Sequence, residues 1–478
     1  MKKIFYVFVL GAAVMGCQKE NVSEVSDAGN SINEQVAEAT ITEPVTYLAD
    51  TDFDSWTSIA SIEDRFEACN IPESEARSMT DEALMKSVIN YPLNYLIFAY
   101  NNPEDAVRKV IENSNVHKEL VRRAGSADAI LDAFASTTVS DMESMRTKDY
   151  CNVTYSDEIF LDYFVNPEFI PALESKEASV TLQSIADKKI EARLANEEVY
   201  SLRSISPLIS VASDKVVKAV AEKQPMRAAA YTRKTSKTPF GKDIVVYSAN
   251  SDFSSSERKS IDNTYKRSYP SATFVSSATK KYNCHSYAWF WDSSYNPFWI
   301  DAYENGTLQL SKFWTNALFE SCSSATGAKR AYYSTGDHSA IVRPDGKFIS
   351  KWGQAPVMIH DKNYCPYSTS GIQYFKVRSS SMYVNNYRLD GPSPIIVNTS
   401  QYYYYEHDWP DHFLTDHTVE VIDMQSTPGK FTLETYGSGC YLTCGQTGAY
   451  RVFVRSYYEG QEVAFNSQYI ISIGADWQ

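Results

Sequence analysis

The run from Gly336 to Trp352 constrains the fold most. It reads as a strand from His338 to Arg343, a Pro344-Asp345-Gly346 turn and a returning strand from Lys347 to Trp352. Asp-Gly supplies the backbone freedom that a tight reversal needs, so the pattern predicts an antiparallel hairpin. Upstream, Lys281-Tyr282-Asn283-Cys284-His285-Ser286-Tyr287-Ala288-Trp289 reads as a loop entering a helix that begins at the cysteine. The two segments would set a thiol at a helix N-terminus beside an imidazole at the start of a strand.

Those are the parts of nucleophilic cysteine catalysis. Only the thiolate attacks a carbonyl. A helix N-terminus offers unpaired N–H groups and partial positive charge. An imidazole takes the thiol proton and returns it to a leaving amine. The backbone N–H of Cys284 would donate to the developing oxyanion. Cys284 is therefore the expected nucleophile and His338 the expected acid/base. His285, one step along a helix, is expected to point away from the face of Cys284 and to shape the cleft. The structural alternative is that Cys284 is a packing residue or half of a disulfide.

The arrangement resembles the papain-fold cysteine peptidases and amidases of the NlpC type, and related amidohydrolase domains that act on bacterial cell walls. The resemblance rests on the polar-Cys-small-aromatic helix start at Asn283 to Trp289, on the strand beginning at His338, and on the Asp345-Gly346 turn. The 54 positions between Cys284 and His338 match the compact spacing of those domains. It covers roughly residues 240 to 375. It implies a third, orienting residue near Ser350, with Gln354, His360 and Asp337 as open alternatives. Asn283 stands where many relatives carry Asp. No cofactor or metal is implied.

The chain starts with a basic Met1-Lys2-Lys3 and an apolar Ile4 to Val14, too short to span a bilayer. Val14-Met15-Gly16-Cys17 resembles the lipobox of bacterial lipoproteins. Residues 1–17 are thus read as a signal peptide ending at a cysteine that becomes lipidated, with the membrane as partner through the anchor on Cys17. Two or more acyl chains anchor stably, at about 0.8 kcal/mol per buried methylene. The expected location is the outer membrane, facing the periplasm or the cell surface. Residues 18–50 are acidic and poor in aromatics, which predicts a tether that cannot order itself.

A length of 478 residues leaves room for about three domains. A formal charge of −14 argues against nucleic acid as a partner. Six cysteines remain besides Cys17 and Cys284, in a compartment that permits disulfides. Cys440 and Cys444 are placed to clip a hairpin.

The expected fold is multidomain. Residues 51–225 read as an all-α array of short helices. Thr80, Asn102 and Ser126 act as N-caps, and Leu84, Val88, Tyr91, Val107, Ile111, Ile130 and Phe134 form apolar stripes. Residues 226–238 read as a linker. Residues 239–380 form an α+β, papain-like domain with a strand at 243–247, a helix capped by Ser254 and a strand at 272–275. Residues 388–478 read as an all-β sandwich, in which Gly448-Ala449-Tyr450-Arg451-Val452 resembles the tyrosine-bearing late strand of immunoglobulin-like domains. His407, Asp411, His412, Asp416 and His417 are read as a solvated loop.

Two functions follow. One is a membrane-anchored, exported cysteine hydrolase that cleaves an amide bond in a peptide or a peptidoglycan stem through Cys284 and His338. The other is a catalytically inactive surface lipoprotein that binds glycan or protein through its immunoglobulin-like domain and an aromatic cleft.

Overall fold

The computed structural model describes residues 40–137, 153–197, 199–201, 204–223, 231–238, 242–315, 317–378, 388–406, 416–423, 431–436, 439–458 and 461–473. The signal peptide, the anchor cysteine and most of the tether lie outside the described residues, as do three of the five residues of the His407–His417 group; the other two, Asp416 and His417, begin a strand rather than lying in a loop, and the end of the expected tether is ordered, with Ile41 bridging Met79 and a helix at Leu48–Thr51. Among the described residues no helix is long and apolar enough to cross a membrane.

Short helices come first, as the capping residues predict. The Thr80 hydroxyl accepts the Ala83 N–H and opens the helix Asp81–Ile89, and Asn102 opens Pro103–Asn113 with proline in the first turn. Ser126 departs from expectation. Its hydroxyl turns back to the carbonyls of Leu120 and Arg123 and makes no cap bond to the helix Ala127–Ser136. The apolar stripes are core: Leu84, Val88, Val107, Ile130 and Phe134 are fully buried.

Antiparallel sheet follows. Strands β1 (Tyr231–Lys237) and β2 (Asp243–Ala249) pair as a ribbon, so much of the stretch expected as a linker is strand. Ser254 closes a capping box on the helix Ser255–Ser268. A two-residue hairpin, β4 (Tyr303–Glu304) with β5 (Thr307–Leu308), stands apart from the main sheet. That sheet has seven strands: β3 (Thr273–Ser276), β6 (Phe319–Cys322), β7 (Arg330–Tyr333), β8 (His338–Val342), β9 (Phe348–Lys351), β10 (Val357–His360) and β11 (Ile372–Val377). Their order is β3-β10-β9-β8-β7-β11-β6, and every neighbouring pair is antiparallel. The hairpin read from His338 to Trp352 is β8–β9 at its centre.

Alternation along β8 splits its side chains between two environments. Ala340 and Val342 join Phe348, Trp352 and Met358 in one continuous core with the N-terminal helices. The helical array is therefore packed on one face of the sheet. Ser339 and Ile341 face the other side, where the cysteine helix lies.

The last segment forms two four-stranded sheets. One contains β12 (Arg388–Asp390), β14 (Ser400–Glu406), β17 (Gly439–Cys444) and β16 (Phe431–Tyr436). The other contains β13 (Ile395–Ile396), β19 (Gln461–Ile473), β18 (Gly448–Tyr458) and β15 (Asp416–Asp423). Leu389, Tyr403 and Leu442 from the first share a core with Tyr450, Val452 and Ile470 from the second. Cys440 is a free thiol, and it lies on one strand with Cys444, four positions away, so the two do not clip a hairpin. Cys69, Cys284, Cys322 and Cys365 are also free.

Candidate functional site

Asn283 starts the cysteine helix. Its side-chain oxygen accepts the Ser286 N–H at 3.1 Å, and its main-chain oxygen accepts the Tyr287 N–H at 2.9 Å. The turn then widens into a π-helix over Ser286–Phe290. Trp289 anchors it by donating its indole N–H to Ser339 at 2.9 Å. Below the approach loop, the buried Lys351 ammonium donates to the carbonyls of Thr279, Gly353 and Ala355. Burial lowers the Lys351 pKa to about 7.

His285 joins the cluster around Cys284, whereas the sequence predicts only that it shapes the cleft: both side chains have Asn101 and Asp337 as neighbours. Its Nδ1 lies 2.9 Å from Ser339 Oγ and its Nε2 lies 3.1 Å from Asp337 Oδ1. The ring is fully buried. Burial alone lowers the pKa of an imidazole, but the neighbouring Cys284 sulfur and Asp337 carboxylate outweigh it and raise it to about 10. The same pairing lowers Asp337 below the usual carboxylate value, against the upward pull of partial desolvation on a side chain that stays half exposed. Asp337 holds φ at 44°, a left-handed conformation that few non-glycine residues adopt. It projects an exposed carboxylate over the imidazole at the start of β8.

Asn101 completes the cluster from the helical array, between the 3-10 turn Asn94–Phe98 and the helix Pro103–Asn113. Its Nδ2 donates to Asp337 Oδ2 at 2.9 Å and to the Asp337 carbonyl at 3.1 Å. Its Oδ1 accepts from Asn283 Nδ2 at 3.0 Å. Both ends of the carboxamide lie 3.9 Å from Cys284 Sγ. This placement depends on a close docking. Phe98 O accepts the Gln354 and Ala355 N–H groups, and Tyr367 donates to the Ala99 carbonyl at 2.6 Å. Gly353, at φ 55°, passes so near that a Cβ would collide with the carbonyls of Phe98 and Ala99.

Of the residues expected from sequence, Cys284 lies in this cluster and His338 and Ser350 do not. His338 faces the helical array. Its ring stacks on Tyr367 at 3.7 Å, and neither ring nitrogen has a hydrogen-bond partner among the described residues. Burial holds its pKa well below the ordinary value, so it stays neutral. Ser350 bonds His360 Nε2 at 2.8 Å and accepts from Trp352 at 3.0 Å, and it makes no bond to His338. The physical reason is strand parity: His338 and Ser339 point to opposite faces, and it is Ser339 that meets the cysteine helix. Asp337, one of the open alternatives for the third position, is the residue that bonds the imidazole. Gln354 lines the nearby cleft, and His360 lies with Ser350.

That cleft has a volume of about 890 Å³. Asn101, Asp337, Asp301, Trp299, Tyr303 and Phe169 are among its walls. Cys284 and His285 lie behind Asn101 and Asp337, with the cysteine only 1% exposed. Among the described residues no group of histidine, cysteine and acidic side chains is arranged to hold a metal ion.

Residues 273–376 match a family model described as a domain of unknown function (DUF7689). The match spans the main sheet and the cysteine helix. No curated protein and no solved structure matches the chain.

Proposed function

We propose that this chain is a cysteine hydrolase of amide bonds, with Cys284 as nucleophile, His285 as acid/base and Asp337 as the group that orients the imidazole. One observation carries the reading: the buried His285 imidazole, next to Cys284 in the chain, has its Nε2 3.1 Å from the Asp337 carboxylate, and that carboxylate and the Cys284 sulfur favour its charged form. Such an imidazole is suited to take the thiol proton and to deliver it to a leaving amine. The cleft beyond Asn101 and Asp337 is large enough for a peptide side chain and its flanking atoms.

The papain-like assignment is supported by a cysteine helix packed on an antiparallel sheet that contains the expected hairpin. It is altered in one respect, since the histidine comes from the helix. Tyr450 donates to the Gln446 carbonyl at 2.9 Å, which supports an immunoglobulin-like C-terminal sandwich. The sequence supports export as an outer-membrane lipoprotein anchored at Cys17, with a peptide or peptidoglycan stem as substrate. The burial of Cys284 favours the second reading, a surface binder without activity.

The test is hydrolysis of cell-wall digests and model peptides by the full chain. Turnover abolished by Cys284→Ala supports the enzyme. Equal turnover in both proteins refutes it.

A further inference from the structure

An amide already sits at the sulfur. The Asn101 carboxamide has its oxygen on Asn283 Nδ2 at 3.0 Å. Its nitrogen gives two donors to two acceptors, Asp337 O at 3.1 Å and Asp337 Oδ2 at 2.9 Å. That nitrogen lies 3.2 Å from His285 Nε2. Sγ of Cys284 lies 3.9 Å from both ends. A reacting amide needs the same surroundings: a donor on the carbonyl oxygen, an acid beside the nitrogen and a thiolate beside the carbon.

We propose that the Asn101 carboxamide occupies the subsite of the scissile amide, and that the substrate is a primary carboxamide, such as an asparagine- or glutamine-type side chain, released as ammonia. This rests on the cysteine-hydrolase reading above. The pair of acceptors selects the class. A primary carboxamide satisfies both with its two N–H groups. A secondary peptide amide has one N–H, and its second substituent must be accommodated where Asp337 and His285 already stand.

The chemistry balances without a further reagent. The Cys284 thiolate attacks the carbonyl carbon and forms a C–S bond, while the carbonyl electron pair moves to oxygen beside Asn283 Nδ2. Collapse breaks the C–N bond, and the nitrogen takes a proton from the His285 imidazolium and leaves as ammonia. Water then adds to the thioester and gives a proton to His285. The C–S bond breaks, restoring the thiolate and leaving a carboxylic acid that gives its remaining proton to solvent.

Entry requires that Asn101 be displaced, because Cys284 and His285 do not reach the cleft wall. Asn101 therefore acts as a plug that the substrate replaces.

The experiment measures ammonia release by the full chain from benzyloxycarbonyl-glutaminylglycine, and cleavage of acetyl-triglycine as the secondary-amide control. A kcat/KM at least about tenfold higher for the carboxamide is expected, as for sites built around paired hydrogen bonds. Asn101→Ala should raise alkylation of Cys284 by N-ethylmaleimide severalfold, with Asn101→Ser as a second variant should the alanine protein melt early. Equal or faster cleavage of the triglycine overturns the proposal, as does slower alkylation in both Asn101 variants. Absence of ammonia release, while Cys284 alkylation still depends on His285, sinks the carboxamide substrate and leaves the hydrolase reading standing. A Cys284 whose alkylation is indifferent to His285 removes both.

Discussion

His285 Nε2 and Asp337 Oδ1 are 3.1 Å apart, although 52 positions separate them in the sequence. One belongs to the cysteine helix and the other to the loop entering β8. Their contact joins helix and sheet at the sulfur, and it sets the charge of the imidazole.

The His285 imidazole is raised to about 10, above the ordinary 6.5. A raised base stabilises the fold fully below the unfolded value and loses that contribution as pH rises through the folded one. The His285 contribution is therefore lost between about pH 6.5 and about pH 10, at no more than about 1.4 kcal/mol per pH unit. Urea midpoints across this range should fall less steeply in His285→Gln than in the parent chain. Parallel profiles would contradict the pairing.

His117 shows the opposite sign. Its ring packs edge-on against Tyr91, Phe160 and Phe164, and burial pushes its pKa down to about 3. The unfolded chain takes up a proton first, so stability is lost as pH falls from about 6.5 toward about 3. His117→Leu should reduce that acid slope by up to about 1.4 kcal/mol per pH unit, read from denaturant midpoints.

Gly353 tests the docking that delivers Asn101. Gly353→Ala adds a Cβ against the Phe98 and Ala99 carbonyls at a left-handed backbone position. A loss of about 1–3 kcal/mol is expected, together with altered alkylation of Cys284, because the loop that bears Asn101 must shift. Unchanged melting and unchanged labelling would show that the contact is slack.

Lys351 ties the loop before Cys284, through the Thr279 carbonyl, to the turn after β9, through the carbonyls of Gly353 and Ala355. Lys351→Met keeps the length of the side chain and leaves those buried acceptors without their donor. A destabilisation of about 2–4 kcal/mol follows, measurable by chemical denaturation. A neutral outcome would mean that water replaces the ammonium.

The sequence makes visible what is local. Thr80, Asn102 and Ser254 cap helices because each bonds a backbone group two or three residues away. The hairpin at Asp345-Gly346 is legible for the same reason. Strand parity is not local. Period two puts His338 and Ser339 on opposite faces, but which face meets the cysteine helix depends on how the sheet is covered, and the helical array takes the His338 side. A regular helix turns each residue about 100° from the last, which says where the His285 ring points relative to Cys284 but not what packs against it. His285 keeps helical backbone angles, and its ring meets Ser339 and Asp337 because the start of the helix is packed against that end of β8. Asn101 carries no local mark of its role, since its partners lie more than 180 positions downstream.

The most direct measurement is the rate at which iodoacetamide alkylates Cys284 in the parent chain, in His285→Ala and in His338→Ala, at pH 7. The geometry predicts a rate at least about tenfold lower without His285, and little change without His338. A rate that falls with loss of His338 and holds with loss of His285 would contradict the assignment of the base.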